Sequence, residues 1–420
     1  MNTLPDVKKV VLPNGLRILT EEIPTMRSVA MGIMVGTGSG NETHGEAGIS
    51  HYIEHMMFKG TKKRSAFQIA HALDAVGGKM NAYTSKEVTV YYAVVLDRHI
   101  DTQIDVLSDM VLNSLFDPKE METEKGVILE EIKMYEDSPD ELIHDLFTEQ
   151  ILHGHPLGQP TIGLAETVRA IKRDDIIKYL ERRYSPRNMI ISLAGDIPKD
   201  LIERLTPYFG EAKGEDIPQT QPQPVVKGSL ALKYKKTEQT HLCLGTLGPS
   251  QVDDDRYAFA ILENILGGSM SSRLFQEVRE KRGLAYAIYS TSSPFRDLGL
   301  AYAYAGTSKE NMVQVIDLII EQLVNIKREG LTAGEIERGK EFLKGTTVLG
   351  LESTASRMSY IARSEFYHGR SVSIDEMFEK VDRVTNDDIV RLANKYFRSE
   401  DLTLTVIGDL EELPVKELRC

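Results

Sequence analysis

At 420 residues the chain exceeds what one hydrophobic core usually supports, so two domains of roughly 200 residues each are expected. Hydrophobic content of 41% and charged content of 27% are those of a soluble globular protein, and a net charge of −13 argues against a nucleic-acid partner, which would need a basic surface. No apolar run approaches the ~20 residues that span a bilayer, the opening MNTLPDVKKVVLPNG lacks a signal core or an Arg-rich presequence, and the two cysteines, Cys243 and Cys420, suit a reducing compartment. No membrane association and a cytoplasmic location are therefore expected.

Residues Ile49 to Lys59 carry Ile49, Tyr52, Ile53, Met56, Met57 and Phe58 without a proline, which predicts a helix ending in a left-handed cap at Gly60. Within it lies His51-Tyr52-Ile53-Glu54-His55. Residues three and four apart share a helix face, so both imidazoles and the carboxylate point the same way. Two neutral imidazoles suit a zinc ion, and a carboxylate beside it can take a proton from water. The order His-x-x-Glu-His is the inverzincin signature. A catalytic zinc usually has three protein ligands, so with Glu54 reserved as base a third must come from elsewhere.

Further along, VTVYYAVV is β-branched and aromatic, as strands are, and residues 98 to 115 read as a helix. Next comes KEMETEKGVILEEIKMYE, residues 119 to 136, with Val127, Ile128, Ile132 and Tyr135 on a helical period. Glu124 and Glu131 are two turns apart and project from one face, so one can ligate the metal while the other supports a ligand imidazole. Glu130 is an equal candidate, and spacing does not choose among them. Residues 119 to 145 hold ten acidic side chains and three lysines; such acidity reads first as keeping the protein soluble, and alternatively as steering basic peptides toward the site. His153 and His155, in HGHPLGQP, sit among Gly and Pro and read as a turn rather than as metal ligands.

The segment GEDIPQTQPQPVVKG, residues 214 to 228, carries Pro218, Pro222 and Pro224 and reads as a linker between domains 1–213 and 229–420. The halves are related. DDIIKYLERRYSPRNMIISLAGD from Asp174 matches DDIVRLANKYFRSEDLTLTVIGD from Asp387 at a constant offset of 213, each a helix capped by aspartate, a turn and a strand ending in Gly-Asp. HYIEH at 51 to 55 stands opposite AILEN at 260 to 264, where Ala260 and Asn264 replace both histidines. The loop GGSMSS, residues 267 to 272, lacks the lysine and spacing of nucleotide-binding loops, and 309 to 328 reads as another helix. The pattern predicts an α+β protein of two homologous domains, each an antiparallel or mixed sheet with helices on one face, of which only the first holds metal.

The chain resembles the inverzincin peptidases of the pitrilysin and mitochondrial processing peptidase family over nearly its whole length. VVLPNGLRILTEEIP resembles that family's first strand pair, and GTGSGNETHGEAGISHYIEHMMFKGT its metal helix with both flanks. The resemblance implies Glu54 as general base, Glu131 as third ligand beside His51 and His55, Glu124 as support to a ligand histidine, and one zinc per chain. GGKMNAYTSKEVTVYY resembles the strand that binds substrate backbone by β-augmentation, with Asn81, Ala82 and Tyr83 at its contacting positions. SSRLFQEVREKRGLAYAIYS resembles a segment whose arginine and tyrosine, here Arg279 and Tyr286, assist catalysis. Full-length relatives close four such domains into a chamber, so this two-domain chain is expected to form a homodimer with Arg279 and Tyr286 acting in trans. The expected activity is zinc-dependent cleavage of peptides or unfolded segments. Its rivals are a non-catalytic or partner-dependent scaffold or regulatory subunit of the same fold and a zinc hydrolase of non-peptide amides or esters.

Overall fold

The computed structural model describes residues 7–214, 224 and 226–420, so most of the proline-bearing segment, 215–223 and 225, lies outside the described residues. Eleven strands are described: β1 Val7–Val11, β2 Arg17–Glu22, β3 Ser28–Val35, β4 Lys79–Thr84, β5 Thr89–Leu96, β6 Met189–Gly195, β7 Leu230–Tyr234, β8 Thr240–Gly248, β9 Ala285–Pro294, β10 Gly299–Thr307 and β11 Thr403–Gly408. The helices are α1 Ile49–Met57, α2 Ala66–Asp74, α3 Ile100–Asn113, α4 Pro118–Asp137, α5 Pro139–Ile151, α6 Ala165–Ala170, α7 Arg173–Arg183, α8 Leu201–Phe209, α9 Arg256–Gly267, α10 Met312–Glu329, α11 Ala333–Gly350, α12 Thr354–His368, α13 Ile374–Asp382 and α14 Asn386–Tyr396. None of them is long and apolar enough to cross a membrane.

Two compact units result. One comprises Met1–Lys133, Gln159–Thr220 and Val348–Ser373; the other comprises Met134–Gly158, Gln221–Thr347 and Ile374–Cys420. Their sheets run β1-β2-β6-β3-β5-β4 and β7-β11-β8-β10-β9. Without β1 the two orders are the same, and each has one parallel pair, β2 with β6 and β7 with β11. The duplication read from the sequence is therefore a duplication of topology. Helices α7 and α14 keep the 213-residue offset, but the aspartates do not stand at the caps. The caps are Lys172 and Thr385; Asp175 and Asp388, one turn in, accept from those residues' backbone N–H at 2.9 and 3.0 Å. An acid there satisfies a donor that the helix leaves open.

In the first unit, alternate strand residues divide between two faces. Val29, Met31, Ile33 and Val35 of β3 pack with Met189, Ile191 and Leu193 of β6 against helices of the first half, including α1, α3, α7 and α8. Ala30, Met34, Ile190 and Ala194 point the other way. That second face is not bare, as an α+β unit with helices on one face would leave it. Helix α12, from the second half of the chain, lies across it through Met358, Ile361, Ala362 and Phe366. Gly32 makes the close approach possible, since a Cβ there would stand 2.3 Å from Met358 Sδ. Two buried carboxylates fix the helix further: Glu21 pairs with Arg357, and Glu365 with Lys9 at 2.6 Å and Arg17 at 3.5 Å.

The second unit repeats the plan. Leu242, Leu244, Ala301, Ala303 and Leu404 face α9, α10 and α14. Cys243, Leu300, Tyr304 and Ile407 face α5, from the first half, through Ile143, Phe147 and Ile151. The segment 214–228 thus separates the strands of the two sheets, while each half gives one helix to the other unit.

Candidate metal centre

The site is built on α1, which ends at Met57, two residues short of the span expected from its apolar pattern. Gly60 has φ +125°, outside the left-handed helical well, and pairs with Ser65 instead of capping the helix. The other end is held tightly. Gly48 adopts φ +92° directly before the helix, with its Cα packed against Gly163, where neither residue has room for a Cβ. The buried Glu42 carboxylate accepts from Gly48 N at 2.7 Å and Ser50 N at 2.8 Å, satisfying donors at the helix start. Burial pushes this carboxyl up to about 8, against the pull of those backbone donors. Tyr52 on the buried side of α1 donates to the Met121 carbonyl at 2.5 Å and ties α1 to α4.

That tie brings the candidate ligands together. His51 and His55 stand with ring centroids 4.5 Å apart. Glu131 Oε2 lies 3.9 Å from His51 Nε2 and 3.7 Å from His55 Nε2, and one donor atom of each residue falls within 4.8 Å of the others. Glu130, left open by spacing, points outward and pairs with Lys133 at 2.6 Å. Glu124 is buried, one oxygen 2.9 Å from His55 Nδ1 and the other 2.6 Å from Lys59 Nζ. A carboxylate at Nδ1 keeps the proton there and leaves Nε2 its lone pair. His51 is held neutral, its pKa driven down to about 3 by burial and then by His55. Two imidazoles, a partly exposed carboxylate and an acidic residue behind one imidazole form a donor set that fits zinc.

Glu54 is the helix-face neighbour of both histidines. Thr84 Oγ1 donates to its Oε2 at 2.6 Å, and burial raises its pKa while that bond and His55 lower it. Thr84 ends β4, which with β1 is one of the two edge strands of the first sheet. Asn81, Ala82 and Tyr83 lie on the same edge, Ala82 on the side of Thr84, Asn81 and Tyr83 on the other. The sequence reading did not single out Thr84, although strand alternation from Ala82 points to it. Glu42 had no such signal, since it acts on the backbone of residues six and eight places ahead.

Arg279 and Tyr286 belong to the second unit. Arg279 lies in a π-helical turn, Phe275–Glu280, with its guanidinium 4.8 Å from the Phe275 ring centre and 5.0 Å from that of Tyr286. Its basic neighbours are occupied: Arg273 with Glu335, Lys281 and Arg282 with Glu277. Tyr286 is 75% exposed on β9. The second unit also keeps a trace of the first unit's chemistry. Glu263 stands 209 residues after Glu54 and accepts from Ser292 Oγ at 2.6 Å, as Glu54 does from Thr84.

Comparison with known proteins agrees with this layout. Residues 17–164 match the family model described as insulinase, peptidase family M16, and residues 170–343 match the M16 inactive domain. A Bacillus subtilis protein named uncharacterized zinc protease YmxG is 42% identical over 97% of this chain and all of its own length. An uncharacterized zinc protease of Streptomyces coelicolor is 41% identical over 98% of this chain and 92% of its own. The fold also matches solved structures: a Helicobacter pylori protease (TM-score 0.88, 24% identity, covering 96% of this chain and 100% of that one) and an M16 inactive domain from Pseudomonas fluorescens (0.90, 20%, 99% and 100%). With a His-His-Glu group on α1 and α4 and a second unit whose equivalent helix lacks both histidines, the chain belongs to the insulinase family of peptidases, family M16.

Proposed function

We propose that this protein is a zinc-dependent endopeptidase acting on peptides or unfolded segments of polypeptide. The observation that carries the reading is the convergence of His51, His55 and Glu131 beside a carboxylate, Glu54, that is oriented by Thr84. His51, His55 and Glu131 would hold one zinc, which supplies Lewis acidity toward the scissile carbonyl and lowers the pKa of water. Glu54 takes the proton of the attacking water and later delivers it to the leaving nitrogen. With Oε2 bonded to Thr84, Oε1 is the oxygen left for that transfer. The elevated pKa of Glu54 suits a group that must both take and return a proton. The substrate backbone adds to the free edge of β4 at Asn81, Ala82 and Tyr83, as extended peptides do on exposed strands.

Arg279 and Tyr286 form a pre-stacked cation and phenol suited to steadying carbonyl oxygens and a developing oxyanion. In this reading they act in trans within a homodimer whose chamber admits unfolded chains.

The test is cleavage of a quenched fluorescent peptide by wild type and Glu54→Gln, with zinc measured on both. Cleavage by wild type alone, with about one zinc on each chain, supports the assignment. Zinc on both with cleavage by neither overturns it in favour of a scaffold subunit. A length series from single amides to peptides separates peptidase action from hydrolysis of non-peptide amides.

A further inference from the structure

The edge strand β4 presents different chemistry on its two sides. Its register with β5, Ala82 opposite Tyr91 and Tyr83 opposite Val90, sends Ala82 and Thr84 toward α1 and sends Lys79, Asn81 and Tyr83 to the opposite face. On the α1 side carboxylates predominate: Glu54, Glu124 and Glu131, with Lys59 paired to Glu124 at 2.6 Å. On the opposite side, Val90 and Tyr92 pack with Ile361, Phe366, Tyr360 and Tyr367 of α12, and the Tyr83 ring meets Tyr92 edge-on at 6.5 Å.

Helix α12 therefore faces the β4–β5 hairpin along the stripe Tyr360, Arg363, Tyr367, spaced three and four residues apart. Tyr367 Oη donates to Glu87 Oε2 at 2.8 Å, in the turn just beyond Thr84. Arg363 sits between the two tyrosines and is exposed. Its charge reaches Tyr83, where it offsets part of the upward shift that burial gives the phenol. No carboxylate pairs with Arg363 among the described residues. A cation from the second half of the chain, 280 positions from Tyr83, thus borders the edge on the side away from the metal ligands.

We propose that Arg363, together with Lys79, selects an acidic side chain on the bound peptide at positions that point to the α12 face. Side chains of an added strand alternate. The preference therefore falls on every second residue, while the intervening residues meet the carboxylate side. This inference rests on β4 being the peptide-docking edge.

The experiment uses zinc-loaded Glu54→Gln protein and a fluorescein-labelled unstructured peptide in which a single Glu or Lys is moved one position at a time. Binding is read by anisotropy at low salt, as the Glu-to-Lys affinity ratio at each position. The expected ratio alternates, favouring Glu by about three- to fivefold at every second position, the size of an exposed ion pair. Adding Arg363→Gln flattens the alternation, and Arg363→Glu inverts it at the same positions. A ratio without alternation, or one that Arg363→Glu shifts equally at all positions, overturns the proposal even though peptide binds. If no peptide in the series binds, and wild type cleaves none, the docking edge itself fails and the proposal goes with it.

Discussion

The Thr84 hydroxyl donates to Glu54 Oε2 at 2.6 Å, so the last residue of edge strand β4 orients the carboxylate beside the His51, His55 and Glu131 group. A charge-assisted bond of this kind fixes one oxygen and leaves the other for chemistry. Thr84→Val is expected to lower kcat by about tenfold, the value of one hydrogen bond to a charged group. KM and zinc content should change little, and Thr84→Ser should restore most of the rate. Steady-state kinetics of the two variants on one peptide check this. An unchanged kcat in Thr84→Val would remove Thr84 from the mechanism.

Glu124 and Glu130 share a helix and differ in what they touch. Glu124 lies behind His55, whereas Glu130 pairs with Lys133 at the surface. Glu124→Ala is expected to weaken zinc binding by about 10- to 100-fold, the usual cost of losing a carboxylate behind a ligand imidazole. Glu130→Ala should leave affinity as it is. Competition with a zinc chelator measures both, and equal affinities would sink the distinction.

Much of this was legible in sequence because it is local. The spacing of His51, Glu54 and His55 determines their common face, and the two-turn spacing of Glu124 and Glu131 determines theirs. The 213-residue repeat foretold two sheets of one topology. Local pattern did not reveal which acid of α4 would meet the histidines by spacing alone. That depends on the α1–α4 crossing, set in part by Tyr52 on Met121. Nor did it reveal that α5 and α12 would each join the other half's sheet. Their apolar stripes show that a helix is buried, not against what. Glu263 is the glutamate unchanged between HYIEH and AILEN, but its bond to Ser292, 29 residues on, follows from no local pattern.

Helix α12 should matter to stability rather than to chemistry at the metal. Ile361 is 2% exposed between α12 and the sheet. Ile361→Ala is expected to cost about 2–4 kcal/mol, read as a lower urea midpoint, with zinc affinity of the folded protein retained. A midpoint equal to wild type would show that α12 is not docked as described.

Glu335 supplies a pH dependence with a definite sign. Arg273 bonds both of its oxygens at 2.8 Å, and with help from the Thr332 N–H holds the carboxyl at about 2, below its ordinary 4.5, although burial opposes this. The folded pKa is depressed, so the stabilisation is present above pH 4.5 and is lost as the pH falls toward 2. Arg273→Gln should melt earlier than wild type at neutral pH, with the gap narrowing through that acid window. A gap independent of pH would mean that Arg273 stabilises by packing alone.

The proposed trans action of Arg279 is checked by complementation. Arg279→Ala and Glu54→Ala should each be inactive, and mixing them under subunit exchange should regain activity. If activity stays absent while exchange is demonstrated with labelled chains, the partner subunit does not supply the arginine.

The exchange of α5 and α12 also has a consequence in time. A ribosome delivers β1 to β6 long before residues 354–368, so Leu19, Met34, Val90 and Ile190 emerge with no helix to cover them. The nascent metal-binding half must wait, wet and sticky on one side, until most of the second half has been made. Its maturation is therefore paced by the length of the other half, and a chain that stalls near the midpoint would be a ready client for chaperones.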